Sequence, residues 1–333
     1  MATKSSTSRI RGMRYRENHC LRIVRDVPPA PFGHFYPATI ANTELNNDSE
    51  DGMPRTPCAV GGTLTVKSVI QCRKNHAQVL VVRAEGSEFG NGKDLIAKIY
   101  DEQLYVSESH RAFDNESDDE DDDGDDDEPA PTPALAAYSR EAAAYKALND
   151  KVKAEHDQKY ARAMGRVPKY YGSWAVDATN NVSVAANPKL ILLEYIKADS
   201  MEDFWIDDED KRKNIMKQLI EAESDLSFYA GVQHDDLLPR NVLIQGDGDG
   251  DAGGFKVYIV DFDISRMGVQ VGEKYQNPLY HWIRSASAWT AQGWPKEDLN
   301  CTLQWMWDTF GDNPDYYPAT ADTSNRFWLY PKK

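Results

Sequence analysis

Cysteine is scarce in this chain: four in 333 residues (Cys20, Cys58, Cys72, Cys301), far apart and with no CxxC pair. That scarcity excludes a disulfide framework and a thiolate zinc site, and suits reduced thiols in the cytosol. Basic charge is also short, with 38 Lys and Arg against 54 Asp and Glu and a net charge of −16. Phosphate backbones and anionic lipids attract basic surfaces, so neither a nucleic-acid nor a membrane partner is expected. No apolar stretch approaches the ~18 residues that a spanning helix needs. No secretory leader and no internal repeat are visible. Arg9, Arg11, Arg14, Arg16, Arg22 and Arg25 read as a basic tail rather than a transit peptide. The expected location is the cytoplasm, with the nucleus as the alternative.

What is present has a clear order. The hydrophobic fraction of 41% is that of a folded protein. Ten of the eleven residues from Asp118 to Glu128 are acidic, and without them the net charge falls to −6. Like charges at that density repel, so residues 114–130 are expected as a solvated insertion. Residues 1–62, rich in Pro, Arg and small polar residues, read as a partly disordered tail. From Thr63, "TLTVKSVI" and "DLIAKIY" alternate apolar and polar residues and "AQVLVVRA" is β-branched and apolar, which predicts three strands. The Ala-rich "ALAAYSREAAAYKALND" follows, with Leu135, Tyr138, Ala142, Tyr145 and Leu148 at helical spacing. Two further strands, "GSWAVDA" and "KLILLEYI", are separated by the turn signal Asn180-Asn181.

Residues 63–197 thus form a small sheet with one main helix, and 198–333 a larger, mainly helical part: an α+β chain. The second part opens on "DKRKNIMKQLIEAESDLSFYAG", whose Ile215, Leu219, Ala222 and Leu226 share a face and which ends at Gly231. "NVLIQ" and "FKVYIVDFD" then predict a hairpin. Its turn, Gly246 to Gly254, carries Asp247, Asp249 and Asp251. A calcium loop starting at Asp247 would need Gly and Glu where Ala252 and Tyr258 stand, so a solvated turn is expected. Trp282, Trp289, Trp294, Trp305, Trp307 and Trp328 lie among helical segments at the end and read as core.

Between the long helix and the hairpin stands "HDDLLPRN", with His234, Asp236 and Asn241 spaced HxDxxxxN. The hairpin ends at Asp261-Phe262-Asp263. Phosphoryl transfer requires an Asp at the acceptor hydroxyl and hard oxygen ligands for the metal that bridges the nucleotide phosphates. Asp236 is the candidate for the first task, and Asn241 and Asp261 for the second. His234 is expected to tie the loop to neighbouring backbone.

With these parts the chain resembles the protein kinase-like superfamily over residues 63 to 270: "HDDLLPRN" resembles the catalytic loop and "VDFD" the metal-binding segment. "LIAKIY" is similar to the strand whose Lys contacts the α/β-phosphates, which points to Lys98. "SREAAAYKAL" is similar to the helix whose Glu pairs with that Lys, which points to Glu141. "LILLEYI" is similar to the hinge, where backbone around Glu194 and Ile196 would hold adenine. The resemblance implies a bilobal kinase-like fold using ATP and Mg²⁺ to phosphorylate a hydroxyl.

Four departures bear on the acceptor. Asp235 stands where many regulated protein kinases carry Arg, Asp263 replaces a Gly, no APE-like tripeptide follows, and "VIQCRKNHAQVLVV" has no Gly where a Gly-rich loop should lie. These features are closer to the aminoglycoside and choline phosphotransferase branch and to fungal kinase-like proteins. They favour a small-molecule acceptor over a protein Ser/Thr. A pseudokinase that binds nucleotide without turnover is the non-enzymatic alternative, and retention of Asp236 and Asp261 weighs against it.

Overall fold

Alternation at a period of two gives each strand an apolar face that has to be covered. The computed structural model shows how, over residues 15–33, 36, 60–73, 75–86, 88–89, 92–105, 132–177, 187–246, 254–268, 276–282, 286–294, 298–311, 313–314 and 316. The chain forms two compact units: Met1–Ser139 with Tyr170–Tyr195, and Arg140–Lys169 with Ile196–Lys333. The division expected from sequence puts residues 140–169 with the first part, whereas in the structure they group with the second.

In the first unit, β1 (Cys20–Arg25), β2 (Val60–Gln71), β3 (Gln78–Glu85), β4 (Lys93–Tyr100), β5 (Tyr170–Val176) and β6 (Lys189–Glu194) pair in the order β1-β2-β3-β4-β6-β5. Every pairing is antiparallel, and β1 pairs again with β5. Ile23, Leu64, Val82, Leu95, Leu192 and Trp174 anchor one buried cluster contributed by all six strands. Each such buried side chain contributes about 1.5–3 kcal/mol. A Cβ at Gly61 would run into the Trp174 ring, which explains glycine there.

Strand β1 lies inside the stretch that the sequence assigns to the tail. Leu21 and Ile23 are buried while Cys20 and Arg22 are exposed, a strand alternation. Its partners are distant in sequence: Cys20 faces Thr65 and Ile23 faces Val176. A six-residue strand with no hairpin of its own leaves little local signal.

The predicted Ala-rich helix is α1 (Pro133–Leu148). Tyr138, Ala142, Tyr145 and Leu148 are buried as expected, but so are Ser139, Arg140 and Glu141. Buried polar side chains need partners, and those of Arg140 and Glu141 lead to the site described below.

In the second unit, α2 (Lys151–His156) and α3 (Gln158–Met164) precede β7 (Asp199–Ser200) and the long α4 (Glu209–Tyr229). Asp208 caps α4 by accepting the Lys211 N–H at 3.1 Å. Ile215, Leu219, Ala222 and Leu226 are all buried, as the helical spacing predicts. Gly231 follows at φ 65°, the left-handed conformation that stops a helix. Then come β8 (Val232–Gln233), β9 (Val242–Gln245), β10 (Lys256–Ile259) and β11 (Arg266–Met267), paired as β10-β9-β7 and β11-β8.

Helices α5 (Leu279–Trp282), α6 (Ala286–Ala291) and α7 (Leu299–Phe310) close the described chain, with Trp282, Trp289 and Trp294 buried. The acidic run 118–128, the Asn180-Asn181 turn, residues 247–253 and Trp328 lie outside the described residues. Among the described residues no helix is long and apolar enough to cross a membrane.

Candidate functional site

The register of the β9–β10 hairpin brings the two ends of the motif together. Val242 faces Ile259, and one step beyond, the Val260 N–H donates to the Asn241 carbonyl at 3.0 Å. Asn241 therefore lies opposite Val260, one residue before Asp261. Asp261 turns the chain out of the hairpin at φ 72°. Asp tolerates this left-handed region better than bulky residues do.

His234 ties the preceding loop to the same hairpin. The Asp236 N–H donates to Nδ1 at 3.3 Å, and Nε2 lies 2.9 Å from the Val260 carbonyl. With Nδ1 accepting, Nε2 carries the proton and donates. Burial lowers the His234 pKa below its ordinary value, although the bond to Val260 opposes the shift. The ring is thus a neutral strut, as the sequence suggests.

Asp236 is held by two neighbours. The Asn241 amide donates to the Asp236 carbonyl at 2.8 Å and to its carboxylate at 3.0 Å. Spending its N–H groups on Asp236 leaves Asn241 Oδ1 as the acceptor end. Arg240 Nη2 reaches both carboxylate oxygens, at 2.9 and 2.7 Å. Next to it, Asp235 adopts φ 60° and takes a two-pronged bond from Arg266, at 2.5 and 2.8 Å. That pair fastens the loop to β11. Asp235 stands out in the sequence, whereas Arg240 and Arg266 take their roles from the folded loop.

Phe262 sits beneath the loop, fully buried, with His234 and Tyr145 rings 4.8 and 5.2 Å away. Glu141, also fully buried, accepts the Phe262 N–H at 3.2 Å, and Arg140 donates to the Asp263 carbonyl at 2.6 Å. Adjacent residues of α1 therefore hold the Asp261–Asp263 segment. For Glu141 this is a task the motif comparison did not suggest.

The donor chemistry suits magnesium. Asp261 offers a carboxylate and Asn241 an amide oxygen, both hard ligands. No group of three or more His, Cys, Asp or Glu residues gathers as a metal cage among the described residues. Two protein ligands fit an ion that fills its other positions with phosphate and water.

Of the remaining predicted residues, Lys98 and Glu194 belong to the first unit and Ile196 to the second. Lys98 is central in the sheet, opposite Val79 and Ile191, and 7% exposed. Its Nζ lies 5.9 Å from the Tyr100 ring centroid. Glu194 ends β6; Ile196, buried, is the first residue of the following segment of the second unit. The glycine-free turn between β2 and β3 is braced by Gln78, whose amide donates to the Arg73 and His76 carbonyls, both at 2.8 Å. Asn75 adopts φ 63° there, a conformation glycine usually supplies.

No curated protein matches this chain. Residues 180–300 match the family model described as the Lipopolysaccharide kinase (Kdo/WaaP) family. The matched span contains Glu194, Ile196, His234, Asp236, Asn241 and Asp261; Lys98 and Glu141 lie outside it. The chain is thus similar, across the loop and hairpin just described, to lipopolysaccharide kinases of the protein kinase-like superfamily, and that match indicates a phosphotransferase with a hydroxyl acceptor.

Proposed function

We propose that the protein transfers the γ-phosphoryl group of ATP, with Mg²⁺, to a hydroxyl of a small molecule, with its two units as the lobes of a kinase-like fold. The observation that carries this reading is the hairpin register, which sets Asn241 and the turn into Asp261 beside the loop that presents Asp236. ATP supplies the phosphoryl group, and the ion neutralises charge on its phosphates. Asp236 orients the acceptor hydroxyl and takes its proton. Asn241 Oδ1 and Asp261 hold the ion, while Lys98 contacts the phosphates. Backbone at Glu194 and Ile196 receives the adenine, and Glu141 fixes the metal-binding segment. Such chemistry depends mainly on positioning and charge.

A sugar-like acceptor is the class to examine first, because the matched family is named for lipopolysaccharide. The absent APE-like segment and glycine-free turn also point away from a protein substrate.

The test is ATP turnover by the full chain against panels of sugars, other hydroxylated metabolites and peptides, alongside MgATP thermal shifts. Asp236→Ala is expected to lower the rate about 10²–10⁴-fold, the usual worth of a positioned base. Nucleotide affinity should stay within a few-fold. A variant that turns over at the wild-type rate would remove Asp236 from the mechanism. Phosphorylation of peptides alone would favour a protein kinase, and nucleotide binding without turnover a pseudokinase.

A further inference from the structure

We propose, resting on the phosphotransferase reading above, that Arg240 is a second catalytic residue: its guanidinium leaves Asp236 during the reaction and neutralises the transferring phosphoryl group. The contact itself suggests a movable cation. Arg240 touches Asp236 through one terminal nitrogen, Nη2, while its side chain is 51% exposed. The other edge of the guanidinium, Nε and Nη1, carries no protein hydrogen bond among the described residues. Exposed ion pairs contribute little to the stability of a fold. An interaction that weak is a poor explanation for placing Arg against the proposed base, and it is easily exchanged.

Within the loop from His234 to Asn241, Arg240 is the only Lys or Arg. The two residues after Asp236 are leucines, so no other cation of the loop can serve the phosphoryl oxygens. Arg offers a planar fork of donors that matches phosphate, and it cannot deprotonate.

Proton transfer would drive the exchange. The acceptor oxygen bonds to the γ-phosphorus, the bond from that phosphorus to the bridging oxygen breaks, and ADP leaves with the electron pair. The hydroxyl proton passes to Asp236. Once protonated, Asp236 no longer attracts the guanidinium, while the phosphoryl oxygens still carry negative charge. Arg240 is then released toward the group that needs it.

Hydrolysis of MgATP by the full chain, with water as acceptor, makes the test independent of the natural acceptor. Arg240→Ala should lower kcat about 10²–10³-fold, the usual cost of losing one charge-stabilising donor, with KM for ATP within a few-fold. Arg240→Lys should recover part of the loss, and guanidinium ion added to Arg240→Ala should do the same. A second readout separates contact with the phosphoryl group from mere support of Asp236. Aluminium fluoride with MgADP should raise the melting temperature of the wild type above MgADP alone, and Arg240→Ala should lose that increment. If Arg240→Ala fails to fold, Arg240→Gln carries the same measurements.

A wild-type rate in Arg240→Ala, or a lost rate with the fluoride increment intact, overturns the proposal and leaves the phosphotransferase reading standing. A wild type that neither binds nor hydrolyses MgATP overturns both.

Discussion

Asp261→Asn changes side-chain volume little but removes the charge that suits this position to a cation. Turnover and its Mg²⁺ dependence should be lost while the melting temperature stays within a few degrees; a folded variant with wild-type Mg²⁺ dependence would exclude Asp261 as a ligand. His234 is a residue-scale case with a pH signature. Its pKa is lowered from 6.5 chiefly by burial, against the Val260 bond and the Asp261, Asp236 and Asp263 charges. Below pH 6.5 the unfolded chain therefore binds the proton before the folded one does, so stability falls as the pH drops through that window. His234→Gln lacks this group, so its stability gap to wild type should narrow between pH 7.5 and 5.5. Urea midpoints at the two values check this, and a constant gap would contradict it.

Phe262 joins the loop, the hairpin and α1 at the scale of elements. Phe262→Ala should cost about 3–5 kcal/mol, as for other buried aromatics, and should lower turnover because Asp261 precedes it in the held segment. Denaturant unfolding and ATP hydrolysis measure the two effects, and a loss under 1 kcal/mol would show that the ring is dispensable. Strands β2 and β4 and helices α1 and α4 were legible because their apolar residues repeat at a period of 2 or 3.6. Strands β3 and β6 were legible as short apolar runs, and the hairpin because two such runs flank a Gly/Asp turn. Strand β1 was not, since its pairing to β2 and β5 is long-range. Helices α2 and α3 are short and charged; Asp157 caps α3 by accepting the Lys159 and Tyr160 N–H groups, but so short a helix shows no apolar repeat in the sequence. In the site, HxDxxxxN and the strand-end Asp were readable as spacing. Arg266 and Arg140 were not, because their partners lie 31 and 123 residues away. Arg240 stands four residues after Asp236, but the loop between them is not α-helical, so that spacing carries no pairing signal.

Over the whole molecule the chain passes between its two units at residues 139–140, 169–170 and 195–196, so neither unit is one continuous segment. The first of these passages falls inside α1. A helix melts cooperatively, and it is hard to unfold one unit while half of that helix stays intact. The tryptophans make this measurable. Trp174, fully buried in the six-stranded cluster, is the only one of eight in the first unit, and the other seven belong to the second by position. Intrinsic emission is therefore almost wholly a signal of the second unit. Trp174→Phe should weaken the first unit by less than the about 3–5 kcal/mol of full truncation, while deleting its only emitter. The unfolding midpoint seen by the remaining fluorophores should fall with it, because the substitution is felt across the passage through α1. An emission midpoint that stays at the wild-type value would make the two units separate unfolding bodies.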